Sequence, residues 1–495
     1  MRDTRSFDLR RVHRMPRIAT LSSRSANSRP WLARLAAAVL GLTLLAGAAL
    51  AAADSPAAQP AASPTPATAP AATTASPNPA PPKAAAASSA HASAANSASF
   101  NPLDLQTWPD ALNPHNWPFT LFPVPEVATD PNSGVTYGML FAFLFKDKHD
   151  NIDYILAPDI NNNTVLGPGG NFRLFGYPSE DTQWYVQTGA SQHIARDVDL
   201  SYQTGRTLQK WWSLNVRFLY EQDPTNRFFG LGNQTAERNQ TNYTDEQVFL
   251  QVLLGWNITR HLQLGFFTRP QYMRIKQGAF TTLPSIFELF PKVKGINGGS
   301  EFYNEARLTY DTRDSVDIPR KGTLAVLFNG VADRALLSTS SFDRFGGDLH
   351  EYIPISKRFT FAGHVYLQYT PAGQETPFWA MPRLGGEESL LYDQETLRGY
   401  GVGRFTDNNI ADANFELRTR VLEATILGNH GILELAPFFD TGRVWNGMST
   451  SPFEDLHSVA GMGFRAIAEP FVVGYLDIGY GGEGSAIFAG LNYPF

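Results

Sequence analysis

The sequence predicts an all-β protein: a transmembrane antiparallel β-barrel of about 16 strands, preceded by a signal peptide and a disordered linker rich in Ala, Pro and Ser. Three observations predict it. An apolar run near the amino terminus ends in small residues, no later uncharged run is long enough for a membrane helix, and the rest of the chain alternates with period two as far as Phe495.

The run from Leu35 to Ala51 carries no charge and follows Arg29 and Arg34. Its small residues, Ala49-Leu50-Ala51 or Ala51-Ala52-Ala53, suit a signal peptidase and place the mature start near Ala52 or Asp54. Met15 is an alternative first residue. An uncleaved anchor is the competing reading, but the run is at the short end of what crosses a core of about 30 Å. From Asp54 to about Ser99 there is hardly a bulky apolar side chain to bury, and repeated prolines remove backbone donors. The expected organisation is a signal peptide at 1–53, a disordered linker and barrel lead-in at 54–134, and an outer-membrane barrel at 135–495.

Composition narrows the function. A net charge of −6 with 17% charged residues offers no basic stripe, so nucleic acid is not an expected partner. The chain has no cysteine, which removes disulfides, thiolate catalysis and cysteine metal sites. No Gly-x-Ser-x-Gly elbow or His-Glu-x-x-His helix occurs, and Gly399-Tyr-Gly-Val-Gly403 lacks the spacing and following helix of a phosphate loop. The expectation is therefore no enzyme, no catalytic residues, no metal and no cofactor. His364 is expected to be an ordinary lumenal histidine.

Alternation is clearest at 359–369, where Phe359, Phe361, Val365, Leu367 and Tyr369 share one face against Thr360, His364, Tyr366 and Gln368. In 411–421 the opposing face is charged: Asp412, Asn414, Glu416, Arg418 and Arg420. In a membrane barrel the apolar face meets lipid and the polar face lines the lumen. Seventeen strand candidates run from 135–145 to 485–495; with 197–204 assigned to a loop, 16 remain, an even number as antiparallel closure requires. A lumen that wide must conduct or be plugged. The last strand places Leu491, Tyr493 and Phe495 on its lipid face as an expected assembly signal, with Pro494 departing from the usual form.

Between 357–370 and 409–423 lies a long connection containing Arg383-Leu-Gly-Gly-Glu-Glu-Ser-Leu390 and Leu397-Arg-Gly-Tyr-Gly401. It resembles the lid loop of the outer-membrane assembly and secretion superfamily that includes BamA, TamA and the two-partner secretion transporters. There an Arg-Gly-aromatic tip on the sixth extracellular loop folds into the lumen, and its arginine meets the acidic residue of Phe-x-Asp-x-Gly. The matching stretches are Arg398, Gly399 and Tyr400, and Phe438-Phe-Asp-Thr-Gly442 with Asp440 and Gly442. Asp440 shares parity with Glu434 and Ala436 and is expected to face the lumen. Two further stretches resemble the family: Tyr310-Asp-Thr-Arg-Asp314 with Pro319-Arg-Lys-Gly322, giving wall residues Asp311, Arg313, Asp314 and Gly322, and Phe228-Phe-Gly-Leu-Gly232. Glycine at 399 and 401 is expected to supply unusual backbone conformations at the tip.

The resemblance implies an outer-membrane protein of a Gram-negative bacterium, in contact with outer-membrane lipid, that inserts or translocates unfolded outer-membrane or secreted polypeptides. The periplasmic polypeptide-transport-associated modules usual in such families have no counterpart in the linker. On this reading the first and last strands, near Val135–Phe145 and Ser485–Phe495, pair weakly, and Pro494 withholds an amide at the seam. The alternative is a passive pore or surface-exposed structural protein without transport partners.

Overall fold

Period-two alternation becomes one antiparallel sheet whose first and last strands meet. The computed structural model describes residues 119–130, 132–148, 152–371, 374–387, 394–426, 429–468 and 472–495. The expected signal peptide and nearly all of the linker lie outside the described residues.

The strands are β1 (Thr120–Asp130), β2 (Gly134–Lys146), β3 (Ile152–Leu156), β4 (Asp159–Asn163), β5 (Gly167–Ser179), β6 (Thr182–Ser191), β7 (Arg196–Thr204), β8 (Trp212–Phe228), β9 (Thr241–Asn257), β10 (Leu262–Gln277) and β11 (Gly299–Asp311). They continue with β12 (Gly322–Ala332), β13 (Phe342–Pro354), β14 (Phe359–Tyr369), β15 (Arg383–Leu384), β16 (Gln394–Glu395), β17 (Phe405–Thr406), β18 (Asn409–Ile426), β19 (Asn429–Trp445), β20 (His457–Ala468), β21 (Val472–Gly481) and β22 (Gly484–Leu491). Three of these, β15 to β17, form a small separate sheet inside the connection from β14 to β18, and the rest form the 19-stranded barrel sheet. Because β3 and β4 lie end to end between the same neighbours, β2 and β5, the nineteen segments among the described residues fill eighteen places.

Two of those places were not expected. Residues 197–204 are not a loop: β7 pairs along its whole length with β6 and β8, and its Asp199 is held by Arg217 of β8. Its short alternation with two charges hid the strand, because here the charged face points inward. The lead-in also contributes β1, which pairs with β2 from Thr120↔Leu144 to Asp130↔Gly134, so the barrel begins at Thr120 and not at 135. Pro123 and Pro125 made this segment read as linker; proline is tolerated because β1 is paired along only one of its edges. A consequence is that the long connection is the seventh on its rim, where sixteen strands would make it the sixth.

The inside-out pattern is plain on β18, where Asp412, Asn414, Glu416 and Arg418 are buried, and on β10, where Gln263, Arg269 and Gln271 are buried while Leu264, Phe266 and Tyr272 are exposed. Exposed Leu254 and Trp256 on β9 and Leu308 and Tyr310 on β11 extend the outer apolar surface. The lumen is thus the polar, filled side, and the wall presents apolar groups outward.

Candidate functional site

The connection from β14 to β18 enters the lumen. Its β15 pairs parallel with β16 and antiparallel with β17, which gives the lid internal backbone bonds. Leu384, Leu397, Tyr400 and Phe405 of the lid pack with Ile410, Phe438, Val444 and Val459 of the wall in a buried apolar cluster. Burial of these side chains drives the lid inward. Gly385 and Gly386, at φ +131° and +76°, let the chain turn after β15.

Arg398 sits at the base of this cluster and is fully buried. Its Nε and Nη2 donate to the two carboxylate oxygens of Asp440 at 2.9 and 2.7 Å, and its own amide donates to the same group at 3.1 Å. Nη1 reaches Glu416 and Asp477, each at 2.7 Å, and the guanidinium lies 3.7 Å over the Phe438 ring. Glu416 also accepts from Arg465 at 2.9 Å and from Arg418 at 2.8 Å, while Arg465 is paired with Asp477. Three guanidinium groups and three carboxylates therefore compensate one another in a buried site, where bidentate geometry makes such pairs directional. Burial alone would push the Arg398 guanidinium down, but Asp440, Asp477 and Glu416 hold its proton well above the usual range.

Close approach of backbones completes the contact. A Cβ on Gly399 would lie 2.7 Å from the Gly481 nitrogen, and one on Gly481 would lie 2.9 Å from the Tyr400 ring. The Gly482 amide donates to the Tyr400 hydroxyl at 3.0 Å. Gly399 is needed for space and not for its dihedral angles, contrary to expectation, since among the described residues the left-handed glycines of the lid are Gly385, Gly386 and Gly403.

A second anchor joins the lid to two other connections. Arg404 donates through Nε to Glu483 at 2.9 Å and through Nη1 and Nη2 to the hydroxyl and carbonyl of Thr235 at 2.9 and 2.7 Å, and its guanidinium lies 4.2 Å over Phe229. The Gly232 amide donates to the Thr406 carbonyl at 2.9 Å. The Phe228–Gly232 stretch thus closes against the lid.

The family model of the Omp85 superfamily domain matches residues 182–471. The chain belongs to the Omp85 superfamily. Among solved structures, BamA from Haemophilus ducreyi lacking POTRA domains 1–3 is 14% identical, with 75% of this chain and 74% of that chain covered and a TM-score of 0.44. CdiB from Escherichia coli is 12% identical, with 76% of this chain and 62% of that chain covered and a TM-score of 0.41, so the chain spans less than two thirds of CdiB. No curated protein matches.

Within this Omp85 barrel the four wall residues do not meet the lid. Arg313 grips Asp311 through Nε and Nη2 at 3.0 and 2.7 Å, and Asp314 accepts the amides of Arg320 and Lys321 at 2.9 and 3.1 Å. Gly322, at φ +106°, leaves room for the Thr312 carbonyl. They build the β11–β12 turn on the rim opposite the lid. Gly442, by contrast, adjoins the lid: a Cβ there would lie 3.1 Å from Leu384.

The carboxyl terminus corrects an expectation. Neither Tyr493 nor Phe495 faces lipid, because β22 ends at Leu491 and Asn492 adopts a left-handed φ of +74° that turns the chain inward. Tyr493 donates to Glu434 at 3.3 Å and lies 3.7 Å from Arg418, and Phe495 is buried with Tyr352 and Ala362. The Pro494 carbonyl accepts from Thr396 at 3.3 Å, so Pro494 lies in the lumen and not at the seam. Strict alternation missed this because a single left-handed residue breaks the parity.

Sequence reasoning also missed Asp477, Arg465, Arg404 and Gly479 as site residues. A signal was present for Asp477: a lone charge between Leu476 and Ile478 in a strand that is otherwise apolar, aromatic or glycine.

Proposed function

We propose that this Omp85 barrel inserts or translocates polypeptide at the outer membrane of a Gram-negative bacterium, using the seam between β1 and β22 as its working edge. One observation carries the reading. Among the described residues β1 and β22 share a single register pair, Thr129↔Ile487, whereas β1 follows β2 over all 11 of its residues and β22 follows β21 over all 8. A strand edge with unpaired amides and carbonyls can template an incoming strand. The inward turn at Asn492 shortens β22 and withdraws it from that edge, and unfolded outer-membrane or secreted polypeptide supplies a strand of the required chemistry.

The chain lacks cysteine, so a disulfide across the seam can be introduced without competing thiols. Thr129→Cys with Ile487→Cys, oxidised, is expected to abolish the ability of the protein to restore outer-membrane or secreted protein levels in cells depleted of it, with recovery on reduction. Full restoration by the locked barrel would overturn the reading and leave the passive-pore alternative.

A further inference from the structure

Facing strands β13 and β14 bring two histidines and a carboxylate together on the lumenal wall, apart from the arginine cluster. His350 and His364 are directly opposite in register and their rings stack with centroids 4.4 Å apart. Both Nε2 atoms approach one oxygen of Asp348, at 3.0 Å from His350 and 3.1 Å from His364.

The hydrogen bonds behind His364 determine what lies at its front. Asn414 donates its Nδ2 to the Thr396 carbonyl at 3.1 Å, which orients its amide oxygen toward His364 Nδ1 at 2.8 Å. An oxygen acceptor requires Nδ1 to carry the proton. Asp412, with Oδ2 at 3.9 Å from the same nitrogen, favours that tautomer. In a neutral ring Nε2 is then a lone pair aimed at a carboxylate oxygen, and two acceptors face each other. A cation between them removes the conflict. A proton on His364 would satisfy that one contact, whereas a metal ion serves both imidazoles and the carboxylate together.

We propose that Asp348, His350 and His364 form a site for a divalent transition metal of the zinc class. Two imidazole nitrogens and one carboxylate oxygen suit a borderline ion and not calcium or magnesium, which take oxygen ligands. With metal–nitrogen bonds of about 2.0–2.1 Å, tetrahedral ligand atoms lie roughly 3.3 Å apart, close to the 3.0 and 3.1 Å that separate the two Nε2 atoms from the Asp348 oxygen. Asn414 and Asp412 provide the outer hydrogen bonding that orients a ligating histidine. His350 also lines a lumenal cavity of about 320 Å³, from which a water or a small anion can take the fourth position. The site bears on the lid: Asn414 is held by Thr396 of the lid, the Phe495 ring stacks on His364 with centroids 5.7 Å apart, and Glu395 of β16 lies close enough to His364 and Asp412 to share an ion.

The test uses the full chain, folded in detergent and stripped with chelator, with Co2+ as the probe. The expected result is one equivalent of Co2+ with a tetrahedral visible spectrum, displaced by Zn2+ and absent in His350→Gln and His364→Gln variants that retain the compact heat-modifiable band. Asn414→Ala, which keeps all three ligands, is expected to weaken binding by about 10- to 100-fold. On the unaltered chain, Zn2+ is expected to protect His350 and His364, mapped by mass spectrometry, from diethyl pyrocarbonate. Absence of a spectrum in the unaltered chain would overturn the proposal and leave a proton as the occupant, and a spectrum that persists without His364 would assign the metal elsewhere and overturn it equally.

Discussion

Gly479 of β21 and Arg398 of the lid touch through their backbones: a Cβ on Gly479 would lie 1.8 Å from the Arg398 carbonyl oxygen. No rotamer change relieves such a clash, because the obstacle is main chain. The φ of Gly479 is not left-handed, so alanine is compatible with the strand itself. Gly479→Ala is therefore expected to displace the Arg398 tip while the barrel still folds. Single-channel conductance should rise, and proteases should cleave the lid faster from its own rim. A variant with the conductance and cleavage pattern of the parent would show that the tip has freedom to retreat, and would remove Gly479 from the site.

The arginine cluster predicts an asymmetry between its partners. Arg398→Ala leaves Asp440 without the guanidinium that binds it twice, and deprives Glu416 and Asp477 of one of theirs. Breaking a buried pair from one side costs about 3–5 kcal/mol, enough to populate a displaced lid. Asp440→Ala is milder, since Arg398 keeps Glu416 and Asp477. The double substitution restores the balance of charge in the cluster, so it is expected to be less damaging than Arg398→Ala alone. Conductance and the temperature at which the compact band is lost, compared across the four proteins, give the coupling. Additive effects would mean the groups act independently.

How much of this was legible in the sequence follows from the range of each interaction. Strand alternation is local, so the barrel, the inward face of β18 and the lumenal parity of Asp440 could be read directly. The lid pair could be read only through resemblance, because Arg398 and Asp440 are 42 residues apart and no local pattern links them. The rest of the cluster depends on the register of four consecutive strands: Glu416 on β18, Arg465 on β20 and Asp477 on β21 meet only once β18 to β21 are paired. The same holds for Gly479, whose role is a space filled by another part of the chain. Pattern reading failed where one residue changes the rule, at Asn492, and where charge points inward on a short strand, at β7.

Phe495 tests whether the chain end is only a signal for assembly or also part of the finished barrel. In the folded protein its ring is buried beside His364, Tyr352 and Ala362, with the Arg398 and Arg418 guanidinium groups 5.7 and 5.5 Å away. A recognition signal acts before folding is complete, so losing it should lower the yield of folded barrel and leave the stability of what does fold unchanged. A packed aromatic contributes after folding, and truncating it to alanine costs about 3–5 kcal/mol. The structure predicts the second effect for Phe495→Ala: compact barrel, once obtained, should lose its heat-modifiable band at a lower temperature and conduct more, because the floor beneath Arg398 is gone. Phe495→Leu, which keeps apolar volume, should recover most of that stability even if assembly in cells remains slow. Equal melting of the parent and Phe495→Ala barrels, refolded in detergent away from any assembly machinery, would show that the buried ring adds nothing to the finished structure and that its value lies in recognition alone.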